Sequence, residues 1–282
     1  MLDAGGHTEV LAAPFTEQDI QRLETALAAE EQLDCPVTHH FGPGIYIREV
    51  ILPTDSYIIG HSHKSPHLNV MLEGRLTIIN PDGSHKELSA PQTFVSPPGR
   101  KIAYVHERVR WQNIYSTDET DVETLEDMLL DKSAAFEQAQ QLLLAQDKTE
   151  DRKDFLEAIA TFGFDEDTVN AVSIDESDQI PLPSGGYKMM VSASMIHGKG
   201  VFATANIDAH ELIAPARLDG KRTPAGRFTN HSKTPNAEMV LSDSGDIYLF
   251  SKEKIFGCKG GNKGDEITVD YRHALSLTLG DK

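Results

Sequence analysis

Apolar positions recur along this chain with two different periods, and the points where the period changes divide it into segments. Thr16 is followed by Asp19 and then by Ile20, Leu23 and Leu27 at helical spacing, which predicts an amphipathic helix over 16–33 opened by a threonine cap. Cys35-Pro36 closes it, because a residue before proline is driven out of the helical region. From Gly44 to Tyr115 the pattern becomes short runs of Ile, Val, Tyr and Thr between turn signals such as Asn80-Pro-Asp-Gly83 and Pro97-Pro-Gly99, the signature of a β-sandwich or small barrel. Trp111 and Tyr104 on these runs read as core side chains. Helical periodicity returns over 118–160, with Leu125, Met128, Leu129, Phe136, Ala139, Leu142 and Leu143 forming apolar stripes. Asp175 to Gly186, containing Pro181-Leu-Pro-Ser-Gly-Gly186, has the composition of a linker, and the remainder is β-rich again.

The expected fold is therefore mainly β with α segments. Its parts are an N-terminal helical segment at 1–36, a β unit at 37–116, a helical connector at 117–180 and a second β-rich unit at 187–282. A length of 282 residues, 39% of them hydrophobic, is enough for two cores. Charge sharpens the division. Of a net −18, residues 117–180 carry −15, from 19 acidic and 4 basic side chains. Such a field repels phosphate and argues against nonspecific nucleic-acid binding, while attracting a basic protein partner; a solvated acidic connector is the simpler reading. No apolar run reaches the roughly 18 residues needed to span a bilayer, and the N-terminus lacks a basic-then-apolar leader, so a soluble, intracellular protein is expected. Cys35 and Cys258 are far apart and form no CxxC pair, which leaves reduced thiols as the default.

His61-Ser-His63 places two imidazoles on one face of a strand, the minimum geometry for a shared divalent metal, and His67 follows. With Leu72-Glu-Gly74 and Ser96-Pro-Pro-Gly99, this stretch resembles the two motifs of the cupin family over about residues 40–116, which implies a cupin-like β-barrel. The usual glutamate position is occupied by His67 and the usual second-motif histidine position by Ile102, so His106 is the nearest candidate for a fourth ligand beside His61, His63 and His67. An all-histidine site suits Zn, Fe, Ni or Cu. Many cupin-like barrels have lost their metal and serve as binding or dimerisation modules, so both readings stand.

Two polar clusters near the C-terminus are the most specific feature. They are Arg227-Phe-Thr-Asn-His-Ser-Lys-Thr-Pro-Asn236 and Gly264-Asp-Glu-Ile-Thr-Val-Asp-Tyr271, with Ile196-His-Gly-Lys-Gly-Val-Phe-Ala203 upstream. In this order they resemble the signature of SET-domain lysine methyltransferases, which implies a C-terminal SET-like domain using S-adenosylmethionine. By that resemblance Gly198, Lys199 and Gly200 cradle the cofactor, Asn230 and His231 fix its pose, and Tyr271 is catalytic. Arg227 matches either as a cofactor residue or as a structural charge. Asp270 and Glu266 support the local strand, Pro235 and Asn236 shape the threaded loop, and Tyr248 is a candidate second tyrosine. The chain departs from the family in its short substrate-groove insert after Ile207 and in having no cysteine-rich flank after Tyr271. Another element must then complete the lysine channel. The compact SET proteins of viruses show the same economy, which makes a viral origin a fitting association.

Three functions follow. The first is a protein-lysine methyltransferase acting on a protein substrate that presents a lysine. The second is a non-catalytic component of a larger assembly that keeps both folds as scaffolds. The third, ranked last, is a metal-dependent cupin oxygenase or isomerase. Edge strands of cupin-like barrels often pair between subunits, so a homo-oligomer is expected.

Overall fold

The computed structural model describes residues 14–28, 30, 32–138, 148–257 and 263–279. The fold is mainly β, with 42% strand and 23% helix. Helix α1, Glu17–Ala28, starts where the cap predicts: Thr16 Oγ1 accepts from Asp19 N, and Asp19 Oδ2 accepts in return from Thr16 N at 2.8 Å. Its apolar face sets Ile20 and Leu23 against Ile79 and Ile102 of the first sheet.

That sheet contains β1 (Val37–Gly42), β2 (Ile45–Leu52), β3 (Ser56–Ile59), β5 (His67–Ile79), β6 (His85–Ser89), β7 (Gln92–Ser96) and β8 (Ile102–Ser116); the short β4 (Ser62–His63) stands apart and pairs with β9 (Leu130–Asp131). The long strands β5 and β8 form its centre, and their register shifts between Met71 and Leu76. Gly74 sits in that irregularity at φ +87°, where an added Cβ would lie 2.1 Å from the carbonyl oxygen of Arg108. Neither the backbone conformation nor the space admits a side chain. Gly74→Ala is expected to cost about 3 kcal/mol or more and to lower the urea midpoint accordingly.

Register carries the buried face of this sheet across three strands. Tyr46, Arg48, Val50 and Leu52 of β2 stand opposite Tyr115, Asn113, Trp111 and Val109 of β8. Leu52, Met71, Val109 and Trp111 belong to one apolar core, and Trp111 takes the core role that the sequence assigns it. Tyr104 differs: it is only half-buried, its ring tilted against Tyr57.

Helices occupy much of the described connector, including residues 134–138. Helix α2 covers Val122–Leu129 under an Asp121 cap, α3 covers Thr149–Thr161 and α4 covers Glu166–Ile174. Leu125 is buried, but Met128 is 54% exposed, because the helix ends one residue later in β9. The expected stripe at Ala139, Leu142 and Leu143 lies outside the described residues.

The segment read as a linker enters a strand at its end. Gly185–Tyr187 forms β10, which pairs antiparallel with β1 and so adds a late strand to the first sheet. Beyond it, β11 (Met189–Ala193), β12 (Lys199–Ala203), β18 (Glu266–Val269) and β15 (Asn230–His231) form one four-stranded sheet in that order. A second contains β14 (Lys221–Arg222), β13 (Leu212–Leu218), β17 (Ile247–Ser251) and β16 (Ala237–Leu241). Helices α5 (Pro224–Phe228) and α6 (Tyr271–Leu279) complete the chain. One apolar core runs from Phe41, Tyr46 and Tyr115 through Leu125 and Tyr187 to Val201, Leu249 and Ile267. A buried exchange joins the same regions: Val37 N donates to Thr204 O at 2.8 Å, and Thr204 Oγ1 to Val37 O at 2.7 Å.

Candidate functional site

Three sequence-distant clusters meet around the parallel pair β15 and β18. In the parallel register, Asn230 stands beside Thr268 and His231 beside Val269. Asn236 holds the same strand from its other end: its Nδ2 donates to Glu266 O at 2.9 Å, and its Oδ1 accepts from Thr268 N at 2.9 Å. One side-chain amide thus satisfies two backbone groups of β18, the role a neighbouring strand would otherwise play.

Asn230 is 3% exposed, and its Nδ2 lies 3.1 Å from His197 O, 3.1 Å from Lys199 O and 2.9 Å from Glu266 Oε1. The amide ties the glycine turn to the buried carboxylate. Ser194 Oγ adds a 2.7 Å bond to the same oxygen. Burial pushes the Glu266 carboxyl upward, and the bonds from Asn230 and Ser194 pull against it. Gly200 is needed because a Cβ there would fall 2.2 Å from Glu266 Oε1. Gly198 differs: it takes φ +49°, and the space where its Cβ would lie is open.

His231 is fully buried. Its Nδ1 accepts from Tyr271 N at 3.0 Å, which leaves the proton on Nε2 to be donated to Asp154 Oδ2 at 2.7 Å. Arg272 grips both oxygens of Asp154 at 3.1 and 3.2 Å and, with His231, holds that carboxyl below the usual range. Tyr271 donates its hydroxyl to Thr229 O at 3.1 Å, and burial raises its phenol above the ordinary value. The ring meets Phe155 edge-on at 6.0 Å and His231 at 5.4 Å. Phe155 in turn stacks on His197 at 4.8 Å. A groove of about 280 Å³ opens beside Asp270, between Lys233, Glu238, Lys252 and His273.

The sequence-predicted residues thus divide. Gly198, Gly200, Asn230, His231 and Tyr271 converge. The Lys199 side chain turns away to Glu123, at 2.9 Å. Arg227 binds Ser173 O and Gln179 Oε1 and lies over the Phe228 ring, so it holds the 173–179 segment. Tyr248 lies in the second four-stranded sheet, opposite Val240 and Pro215. What the sequence reading missed is α3: Arg152, which donates to Ile196 O at 2.8 Å, together with Asp154 and Phe155. Phe155 follows the charged run Glu150-Asp-Arg-Lys-Asp154 and precedes Leu156, Ala158 and Ile159, but nothing local says what it packs against.

The four histidines do not assemble as expected. His63 and His67 stack with ring centres 3.9 Å apart, and two backbone bonds between His63 and Gly99 fix the strand against the Pro97-Pro-Gly99 turn. His63 Nδ1 meets Tyr115 OH at 2.6 Å, and His67 Nδ1 meets Ser65 O at 3.1 Å. His61 instead sets its ring edge against Phe136. His106 bonds Thr77 Oγ1 at 2.8 Å, nine residues or about 30 Å of strand from Tyr115. Among the described residues, no group of three His, Cys, Asp or Glu side chains is placed to hold a metal ion. Burial lowers His61 and His63 to about 3 and also lowers His67, so all three imidazoles are neutral at physiological pH.

No helix among the described residues is long and apolar enough to cross a membrane. No family model and no curated protein matches the chain. Solved cupin-domain structures resemble it over about a third of its length. A cupin-2 domain protein from Shewanella frigidimarina NCIMB 400 is 14% identical over 34% of this chain and 92% of its own, with a TM-score of 0.25. A cupin superfamily protein from Desulfitobacterium hafniense DCB-2 is 13% identical over 33% of this chain and 87% of its own, with a TM-score of 0.25. The Fe(II) form of HppE is 11% identical over 26% of this chain and 43% of its own, with a TM-score of 0.22.

Proposed function

We propose that this chain is an S-adenosylmethionine-dependent protein-lysine methyltransferase of SET type, its catalytic unit within 187–282 and its first β unit a cupin-like accessory module. The observation that carries this reading is the closure of three polar clusters on one another around Tyr271. Residues 198–200, 230–231 and 266–271 are joined by direct hydrogen bonds, although up to 73 positions separate them.

The cofactor would be held through backbone more than side chains. Asn230 and His231 spend their side-chain bonds inside the protein, so they shape the site and are not free donors to a ligand. The turn at Gly198 offers bare backbone with open space above it, and β15 is the edge strand of its sheet. When bound there, the cofactor supplies the methyl group from its sulfonium. Tyr271, kept protonated by burial, would orient the acceptor amine as a neutral hydroxyl and would not act as a base. The apolar cluster of Phe155, Ile159, Ile196 and Tyr271 would keep water from the transfer. The substrate would be a protein presenting a lysine, in an intracellular setting, with the enzyme acting as a homo-oligomer.

Calorimetric titration with S-adenosylmethionine tests the reading. Saturable binding is expected for the wild type, weakened about tenfold or more in Gly198→Asn, because asparagine tolerates the left-handed backbone but fills the open space. The second reading, a binding protein that retains the fold as a scaffold, draws support from the internal satisfaction of Asn230 and His231. It predicts no heat at millimolar cofactor.

A further inference from the structure

The connector helix α3 turns two of its carboxylates inward. Asp151, Asp154, Phe155, Ala158 and Ile159 fall at i, i+3, i+4, i+7 and i+8, which is one stripe of the helix, and the last three are buried. A solvated acidic connector would leave the two acids in water, yet their side chains are only 21% and 12% exposed. Asp151 Oδ1 accepts from Ser232 Oγ at 2.6 Å, and Asp154 accepts from His231 and from Arg272. Both acids therefore bond to β15, the residue after it, or α6, the elements that carry the candidate site.

What Asp154 holds is a row of bonds whose direction is fixed. A backbone N–H can only donate, so the 3.0 Å bond from Tyr271 N requires a bare Nδ1 on His231. The proton of this buried ring then sits on Nε2 and needs an acceptor, which Asp154 Oδ2 supplies at 2.7 Å. Tyr271 is the first residue of α6, where the leading amides have no carbonyl of their own helix to bond, so His231 Nδ1 caps one of them. That cap sets how Tyr271 leaves the backbone, and its hydroxyl goes on to Thr229 O.

We propose that Asp154 is a positioning residue for Tyr271, acting through the tautomer of His231, and that α3 is thereby part of the catalytic unit. The effect on turnover rests on the methyltransferase reading; the bonds do not. Three N–H groups, one from His231 and two from Arg272, converge on this carboxylate, and its two ionised oxygens accept all of them. An asparagine at 154 has a single acceptor oxygen. Its amide nitrogen must face either Arg272, donor against donor, or His231 Nε2, which would drive the ring proton to Nδ1 and against the Tyr271 N–H.

The test compares full-length wild type, Asp154→Asn and Asp151→Ala by methyl transfer, by proton–nitrogen correlation NMR of the histidine rings and by amide exchange. Wild-type His231 is expected to show a bare Nδ1 and a protonated Nε2. Asp154→Asn should lower kcat about 10- to 50-fold, as a displacement of about 1 Å at a reacting group would, with the KM for S-adenosylmethionine changed less than about threefold. Its Tyr271 amide should exchange about tenfold or more faster while the amides of β17, in the other sheet, keep their wild-type rates. Asp151→Ala loosens the same helix without touching His231 and should keep kcat within about threefold of wild type. A wild-type ring protonated at Nδ1, an unchanged kcat in Asp154→Asn, or equal losses in both variants would each overturn the proposal, the last by assigning α3 to docking alone. If Asp154→Asn does not fold, the wild-type ring pattern decides. If the wild type transfers no methyl group, the methyltransferase reading fails by itself, and an unaltered ring pattern and Tyr271 amide in Asp154→Asn would still overturn the link.

Discussion

Tyr271→Phe is expected to abolish methyl transfer to lysine, by about 10²- to 10³-fold in kcat, while the protein stays folded and still binds S-adenosylmethionine. The substitution keeps the ring against Phe155 and His231 and removes a single bond, from the hydroxyl to Thr229 O. Its stability cost is therefore only about 1 kcal/mol. The pH profile separates a catalytic role from a packing role. Burial holds the phenol protonated, so wild-type activity should climb with pH as the substrate amine, ordinarily near 10.4, loses its proton, with no second limb from Tyr271 below that point. Radiolabel transfer to a lysine-containing substrate checks both statements. Equal rates for the two proteins would remove Tyr271 from the chemistry.

A large effect on stability is expected at Asn230. Its replacement by Ala leaves His197 O and Lys199 O without their donor and deprives the Glu266 carboxylate of one of two partners, at a cost of about 2–4 kcal/mol. The urea midpoint should fall with the slope unchanged. Asn230→Asp has the same shape but sets a second carboxylate against Glu266. It should be at least as unstable at neutral pH and should recover as pH drops through the carboxylate range, when the pair takes up a proton. Burial already raises Glu266 above its usual value, so the folded state gains from protonation and the sign of the recovery is fixed. A melting series from pH 4 to pH 8 for the two variants would show the gap closing toward acid; a constant gap would mean that Asn230 and Glu266 are not electrostatically linked.

Much of the fold was legible because its signals are local. Thr16 and Asp19 cap α1 within one turn, and the turn residues Asn80-Pro-Asp-Gly83 and Pro97-Pro-Gly99 separate strands as expected. The short clusters around Gly198, Asn230 and Tyr271 were singled out by their resemblance to the SET family's motifs, and in the structure their side chains and backbone bond to one another. The parts that were not legible depend on contacts that no short window contains. Nothing near Asp154 says that His231, 77 positions later, will share its carboxylate with Arg272. Alternation put His61 and His63 on one face, but the strand there is only two residues long, so His61 falls outside it and turns to Phe136. The proline- and glycine-rich stretch before Tyr187 has a linker's composition, yet its backbone still carries donors and acceptors, and β1 had an open edge to receive them.

That late pairing sets an order of events on the ribosome. Val37–Gly42 leaves the exit tunnel long before Gly185–Tyr187 has been made, and at about 5–20 residues per second the interval is on the order of 10 s. For that time one flank of the nascent first sheet has no strand beside it. The first half of the chain is thus finished only by residues synthesised after the acidic helices, which makes those helices its company while it waits.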